Sequence, residues 1–199
     1  MTNYYILDCA APLEAEHYVL EADYPASDKR WKAGVMFLDT DERAGFTPPT
    51  DMIELQTEAD EPPRVYAELY WHPIPLMSRR LVAVLRSAGV DNLQTYETSL
   101  VGALGSYPPP EDHYLAVNIV GLVAAADLTK SKTNPAVAEK LISVDFYSLA
   151  IDPSKARDLL LFRLAENISA VVVHERIRKA VEASGITTLT WYKPQEWAG

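Results

Sequence analysis

The sequence has very little cysteine and no long apolar run, and each of these absences excludes a class of protein. Cys9 is the only cysteine among 199 residues, which excludes an internal disulfide framework and makes the cytoplasm the expected compartment. No apolar run reaches the roughly 18 residues that a membrane-spanning helix needs. The first residues also lack the basic and apolar regions of a secretory signal. We therefore expect no secretory signal and no membrane partner.

Motifs that carry catalysis or hold a cofactor are also missing. The four histidines stand in no spacing typical of a metal site, and the sequence contains no glycine-rich phosphate loop and no nucleophile elbow. A Cys9–His17 nucleophile pair is conceivable, but no oxyanion-hole signature accompanies it. We therefore expect no catalytic residue, no metal and no cofactor. A site built from dispersed residues stays open as the alternative.

Basic residues are scarce in one part of the chain. Residues 8–62 contain 14 acidic and 4 basic side chains, a balance of −10, whereas the rest of the chain contains 14 of each. This surplus of acids argues against nucleic acid as a partner. A solvated acidic surface that aids solubility is one explanation. The other is a docking face for a basic protein, with Asp39, Asp41, Glu42 and Asp51 as candidate contacts.

An internal repeat is the most informative feature that is present. Residues 78–96 (SRRLVAVLRSAGVDNLQTY) align without a gap with residues 174–192 (HERIRKAVEASGITTLTWY). Arg80 matches Arg176, and Gly89 matches Gly185. Each copy predicts a short amphipathic helix, ended by a glycine in the left-handed conformation, and then a strand. Ser78 is a good N-cap for the first helix, and His174 takes its place in the second copy.

The remaining pattern predicts an α+β fold of mostly antiparallel sheets with few helices, in one domain over 1–199. Its acidic N-terminal part is 1–63. Apolar runs predict strands at 34–38 and 114–123, and most of 8–32 and 39–63 is expected to be irregular. Trp31 stands among charged residues, so exposure of its ring at an interface is one expectation, and packing in an aromatic core is the other.

Several segments together resemble a known bacterial family. They are the opening Tyr4–Leu7, the helix start at Ser78, the strand at 114–120 with the residues that follow it, the Phe162-Arg163 pair, and the closing segment around Gly185. Their order and spacing resemble the immunity-protein family of polymorphic toxin systems, which was first described around a Myxococcus protein and was long a domain of unknown function. The likeness spans nearly the whole chain, but each of its segments is short and degenerate.

The resemblance implies a cytoplasmic antidote that binds a toxin encoded beside it and has no catalytic residues. Asp127, Lys130 and Ser131 match the family's Asp-x-x-Lys-Ser pattern, and Phe162 and Arg163 match its Phe-Arg pair. Asp127 and Ser131 are expected to shape a turn. Arg163 is expected to be buried and bonded to a carboxylate, such as Asp127, or to several carbonyls.

The leading hypothesis is therefore a non-enzymatic inhibitor that binds and neutralises a cognate protein toxin, for which a basic toxin would suit the acidic face. Two other classes stay open. One is a small hydrolase-type enzyme with a dispersed active site, which a pocket lined by titratable groups with shifted pKa values would favour. The other is a binding module of a secretion system.

Overall fold

The computed structural model describes residues 3–9, 18–22, 29–38, 40, 48–49, 52–58, 67–102, 113–134 and 143–199. Within these ranges the chain forms three sheets and three α-helices, and most strand pairs are antiparallel. The predicted α+β fold class is confirmed. None of the helices in this part of the chain is long and apolar enough to cross a membrane. The prediction of one domain over 1–199 stays a prediction.

Two sheets contain most of the strands. The first has the spatial order β13 (Leu189–Tyr192), β1 (Tyr4–Cys9), β12 (Val171–His174), β11 (Leu161–Leu164) and β8 (Leu122–Val123). The second has the order β2 (Tyr18–Ala22), β3 (Ile53–Glu58), β6 (Leu93–Gly102), β7 (Tyr114–Ile119), β5 (Leu76–Ser78) and β4 (Leu69–Tyr70). A third, small sheet pairs β9 (Lys132–Thr133) with β10 (Phe146–Ser148). The helices are α1 (Arg79–Ser87), α2 (Pro153–Ala156) and α3 (Glu175–Ala183).

The two copies of the repeat occupy equivalent places in the two large sheets. In the first copy, α1 connects β5 to β6, and both strands pair antiparallel with β7, which lies between them. In the second copy, α3 connects β12 to β13, and β1 lies between these strands in the same way. The connected strands therefore run parallel to each other, which is why each pair needs a helical crossover. The repeat is a split β-α-β unit used twice.

Both helices begin and end as the sequence predicts. Ser78 Oγ accepts a hydrogen bond from the amide of Leu81 at 2.9 Å. His174 Nδ1 accepts one from the amide of Arg176 at 3.1 Å, so the imidazole replaces the hydroxyl as a cap. Gly89 and Gly185 follow the helices with φ of 106° and 76°, which confirms the predicted left-handed glycines.

The two copies also contact each other. Leu81 and Leu85 of α1 share a core with Ile177 and Val181 of α3, and residues of both large sheets surround them. This cluster lies under both helices, and all four side chains are almost fully buried. The apolar positions that match between the copies are therefore the ones that join them.

The arginine shared by the two copies has a structural reason. Arg80 donates a hydrogen bond to the carbonyl of Ser184, at the end of α3. The guanidinium of Arg176 lies near the end of α1, since a Cβ added to Gly89 would lie 3.6 Å from its Nη2. Each arginine thus places positive charge at the carboxyl end of the other helix, where the helix dipole favours it.

We expect Ser78→Ala to lower the free energy of unfolding by about 1–3 kcal/mol. Ser78 is fully buried, caps α1 and donates a hydrogen bond to the carboxylate of Glu68. The substitution leaves both partners without the hydroxyl. Ser87→Ala in the same helix is the matched control, because Ser87 is exposed and should change stability by less than about 0.5 kcal/mol. Urea unfolding of both variants measures the difference, and equal values would show that the cap contributes nothing specific.

The predicted strand at 34–38 is wrong. Gly34 lies in a turn with φ of 68°, and residues 35–38 have no regular secondary structure and belong to no sheet. Side-chain amides replace the ladder of a strand: Gln94 bonds both the amide and the carbonyl of Phe37, at 2.8 and 3.1 Å, and Asn118 Nδ2 donates to the carbonyl of Val35 at 2.7 Å. The backbone groups of Val35 and Phe37 are therefore bonded by side chains of β6 and β7 rather than by a neighbouring strand.

The predicted continuous strand at 114–123 is divided. β7 belongs to the second sheet and β8 to the first, and Gly121 separates them with φ of 128°. Two strands were also missed in the acidic part, β2 and β3. In β3, Ile53 and Leu55 are buried while Glu54 is exposed, which is the period-two pattern of a strand. The prolines and acidic residues on either side of this short segment led to the prediction of an irregular region.

Candidate functional site

The Asp127–Ser131 pattern forms a hydrogen-bonded turn. Asp127 Oδ1 accepts hydrogen bonds from the amide and the hydroxyl of Thr129, and its Oδ2 pairs with Lys130 Nζ at 2.5 Å. These hydrogen bonds lower the pKa of the Asp127 carboxyl to about 2, and the bond with Lys130 has the largest effect. Ser131 Oγ donates to the carbonyl of Asp127 at 2.8 Å and accepts from the amide of Ala150 at 2.9 Å. Asp127 and Lys130 therefore stabilise the turn itself, and Ser131 joins it to the segment before α2.

Phe162 and Arg163 are adjacent in β11 and point to opposite faces of the sheet. Phe162 is 1% exposed and packs edge-on against Tyr4, with the ring centroids 6.0 Å apart. Arg163 is 2% exposed, as predicted, and its guanidinium lies over the ring of Trp71, 5.6 Å from the centroid.

The hydrogen bonds of Arg163 go to carbonyls. Nη1 donates to Ile168 O at 3.0 Å, and Nη2 donates to Trp31 O at 3.4 Å. The suggested pairing with Asp127 is wrong, because that carboxylate is held in its own turn by Lys130 and Thr129. None of the acids in the described part of the chain forms an ion pair with Arg163. Burial lowers the pKa of this guanidinium to about 10.

The expectation that Trp31 is exposed is wrong. Its side chain is 1% exposed and meets Phe37 and Tyr96 edge-on, at centroid distances of 5.0 and 5.7 Å. The charged residues beside it in the sequence suggested a surface position. The aromatic residues that bury it come from 34–38 and from β6, so local composition could not reveal them.

The four acidic candidates, Asp39, Asp41, Glu42 and Asp51, lie outside the described residues. The described residues next to them include exposed apolar side chains, a feature that the sequence did not predict. Four large apolar side chains there are about half exposed: Val35 (52%), Met36 (52%), Leu38 (48%) and Met52 (62%). Phe37, between Met36 and Leu38, is buried, and so is Ile53, which follows Met52. The acidic part of the chain therefore also presents apolar side chains to solvent.

A cavity of about 270 Å³ opens beside the buried arginine. Its polar side chains are Asp8, Lys32, His72, Arg163 and Ser169. Burial and the charge of Arg163 lower the pKa of Lys32, and burial and the charge of Lys32 lower the pKa of His72. No hydrogen bond joins Ser169 to His72, so these two described side chains do not form a nucleophile–base pair.

Glu166 is a second buried charged group. It is 6% exposed, and burial raises the pKa of its carboxyl above the ordinary value. Its Oε1 accepts a hydrogen bond from the amide of Ala126 at 3.2 Å, next to the Asp127 turn. Among the described residues, no three His, Cys, Asp or Glu side chains lie close enough to hold a metal ion.

Comparison with protein families matches residues 5–196 to the Immunity protein family (Imm11). The match covers the described sheets and helices, the Asp127 turn, β11 and the acidic part of the chain. No curated protein matches this chain.

Proposed function

Because the chain belongs to the Imm11 immunity protein family, we propose that it is a cytoplasmic, stoichiometric inhibitor that binds one cognate toxin directly. Membership gives the chain a toxin-neutralising role, and the match over 5–196 is the observation that carries this conclusion. Direct binding needs surface complementarity rather than a catalytic constellation. The sequence, which contains no catalytic motif, agrees with this mode of action.

The acidic part of the chain is the proposed toxin-facing surface. Its surplus of ten negative charges would attract a basic protein and raise the rate of encounter. The exposed side chains of Val35, Met36 and Leu38 add the apolar contact area that an interface core requires. Methionine is suited to this position, because its flexible thioether adapts to the surface it meets. The negative charges would raise the rate of association with the toxin, and the apolar side chains would lower the rate of its dissociation.

We expect reversal of four charges, Asp39, Asp41, Glu42 and Asp51 to Lys, to slow association with the toxin by at least about tenfold at low salt. The partner in this test is the product of the neighbouring toxin gene, and association is measured by stopped flow at several ionic strengths. Added salt should slow the wild type and should have less effect on the variant, since screening removes an attraction that the variant lacks. Protection of toxin-expressing cells should fall in parallel.

A second variant with the same net charge is the control. Reversal of Asp91, Asp145, Glu182 and Glu196, which are exposed outside the acidic part, should slow association by only about two- to threefold. Equal rates for the two variants, or a wild-type rate that does not depend on salt, would assign the acidic part to solubility. The toxin-facing surface would then lie elsewhere.

The enzyme alternative has one observation in its favour, the cavity with the shifted pKa values of Lys32 and His72. The cavity contains two cations, Arg163 and Lys32, and among the described residues no base is hydrogen-bonded to Ser169. This arrangement suits binding of a negative group better than hydrolysis. Co-purification with the neighbouring toxin separates an inhibitor from both an enzyme and a secretion-system module.

A further inference from the structure

The guanidinium of Arg163 has fewer hydrogen bonds and ion pairs than a buried cation needs. Its two hydrogen bonds go to neutral carbonyls, and Nε has no hydrogen-bond partner among the described residues. A buried cation is costly unless it is paired with a negative charge and fully hydrogen-bonded. This side chain also lines the cavity. A group entering the cavity could therefore supply what Arg163 lacks.

The cavity is large enough for such a group. Its volume of about 270 Å³ exceeds several times the roughly 30 Å³ that one water occupies in the liquid. A phosphate or a carboxylate with its first waters therefore fits. The indole of Trp71 forms part of the wall and holds the guanidinium against its face.

Lys32 and His72 line the same space as Arg163. The charge of Arg163 acts on Lys32, and the charge of Lys32 acts on His72, so each of these side chains lies within electrostatic reach of the next. Lys32 has no ion-pair partner among the described residues. The one acidic side chain described on the wall is Asp8, which accepts a hydrogen bond from Trp71 Nε1 at 3.2 Å. Among the described side chains on the wall, Arg163 and Lys32 carry positive charge and Asp8 carries negative charge, and the main chain of Gly199, the last residue of the sequence, also lines the wall.

We infer that this cavity, the Arg163 cavity, is a binding site for an oxyanion, either a phosphate or a carboxylate. Arg163 and Lys32 bind its oxygens, and His72 adds a third donor when it is protonated. Bidentate recognition by a guanidinium and a point charge from a lysine are the usual means of holding such groups. The inference does not rest on the proposed inhibition of a toxin, since a free anion is sufficient to test it.

The test uses the full chain and two probes, inorganic phosphate and N-acetylglutamate amide, each compared with chloride at constant ionic strength. Thermal unfolding and tryptophan fluorescence report binding, since Trp71 lies on the wall. We expect at least one probe to raise Tm saturably, because a ligand of the folded state stabilises it. A response to phosphate alone identifies a phosphate ligand. A response to the carboxylate probe identifies a carboxylate, as on an acidic side chain of a partner.

Three variants connect the response to the cavity. Lys32→Met should weaken binding at least about tenfold, because it removes a charged hydrogen bond. Lys132→Met is the matched control, since Lys132 is exposed and does not line the cavity, and it should bind like the wild type. Arg163→Met should fold with an unchanged or higher Tm without ligand, because it removes a buried unpaired charge, and it should lose the response.

The pH dependence tests the role of His72. Asp8, Lys32, His72 and Arg163 are the titratable side chains described on the wall, and His72 is the one that loses its proton near neutral pH. The carboxylate probe keeps its charge above about pH 5.5. Its affinity should therefore fall as pH rises through the lowered pKa of His72, and His72→Gln should remove this dependence. The inference is overturned if neither probe gives a saturable response, or if Lys32→Met responds like the wild type.

Discussion

Gly34→Ala should lower the free energy of unfolding by about 2–6 kcal/mol, the sum of a strained backbone and an overpacked contact. Gly34 has φ of 68°, and a Cβ added there would lie 2.9 Å from the carbonyl oxygen of Gly121. The two backbones cannot move apart cheaply, because the amide of Gly121 donates to the carbonyl of Gly34 at 2.7 Å. Urea unfolding measures the loss.

Gly185→Ala is the matched control for this prediction. Gly185 has a similar φ of 76°, but the nearest atom to its added Cβ is Arg80 Nη2 at 3.5 Å, the end of a flexible side chain. Only the backbone strain remains, at about 1–2 kcal/mol. The difference between the two variants therefore isolates the close approach of Gly34 to Gly121. Equal losses would mean that the segment at 34–38 relaxes away from β8 at no cost.

Phe162→Ala should cost about 3–5 kcal/mol, the usual loss for an aromatic residue truncated in a core. Phe162 is 1% exposed and lies in a cluster with Tyr4, Phe146, Leu164 and Val172. Tyr4, Leu164 and Val172 lie on hydrogen-bonded strands of one sheet, so these strands cannot collapse fully onto the vacated volume. Phe162→Leu keeps most of that volume and should cost less than about 1.5 kcal/mol.

Toxin binding by the folded fraction separates a structural role of Phe162 from direct contact. A buried side chain does not reach a partner, so the association and dissociation rates of folded Phe162→Leu should equal those of the wild type. A loss of affinity without a loss of stability would place Phe162 in the interface and would contradict its burial. The same measurement on Phe162→Ala, made below its unfolding transition, should agree with it.

The repeat at 78–96 and 174–192 could be predicted because its determinants are local. A capping side chain, an apolar stripe and a terminal glycine each act within one or two turns of helix. The exchange of Ser78 for His174 therefore preserved the helix start, as the two hydrogen bonds show. That Arg80 and Arg176 each reach the end of the other helix could not be predicted, because it depends on how the two copies pack.

The same reasoning explains the errors at Trp31 and at 34–38. The residues that bury Trp31 and the amides that hold 34–38 come mainly from β6 and β7, some 60 to 85 residues further along the chain. Arg163 has one property that the sequence could predict and one that it could not. Its burial followed from the apolar residues beside it in β11, whereas its partners came from other segments, Ile168 from a loop and Trp31 from a 3₁₀ helix at Lys29–Lys32.

The sequence alone determined the fold class, the twice-used helix–glycine–strand unit, the acidic character of the N-terminal part and the family. These properties depend on composition, on short-range periodicity and on the order of short segments, all of which are present in the linear chain. Only the tertiary structure decided which side chains share a space. It placed Arg163, Lys32 and His72 around one cavity and left Val35 and Met36 exposed. Such groupings depend on contacts between distant segments, which become specific only when both large sheets and their helices have packed together.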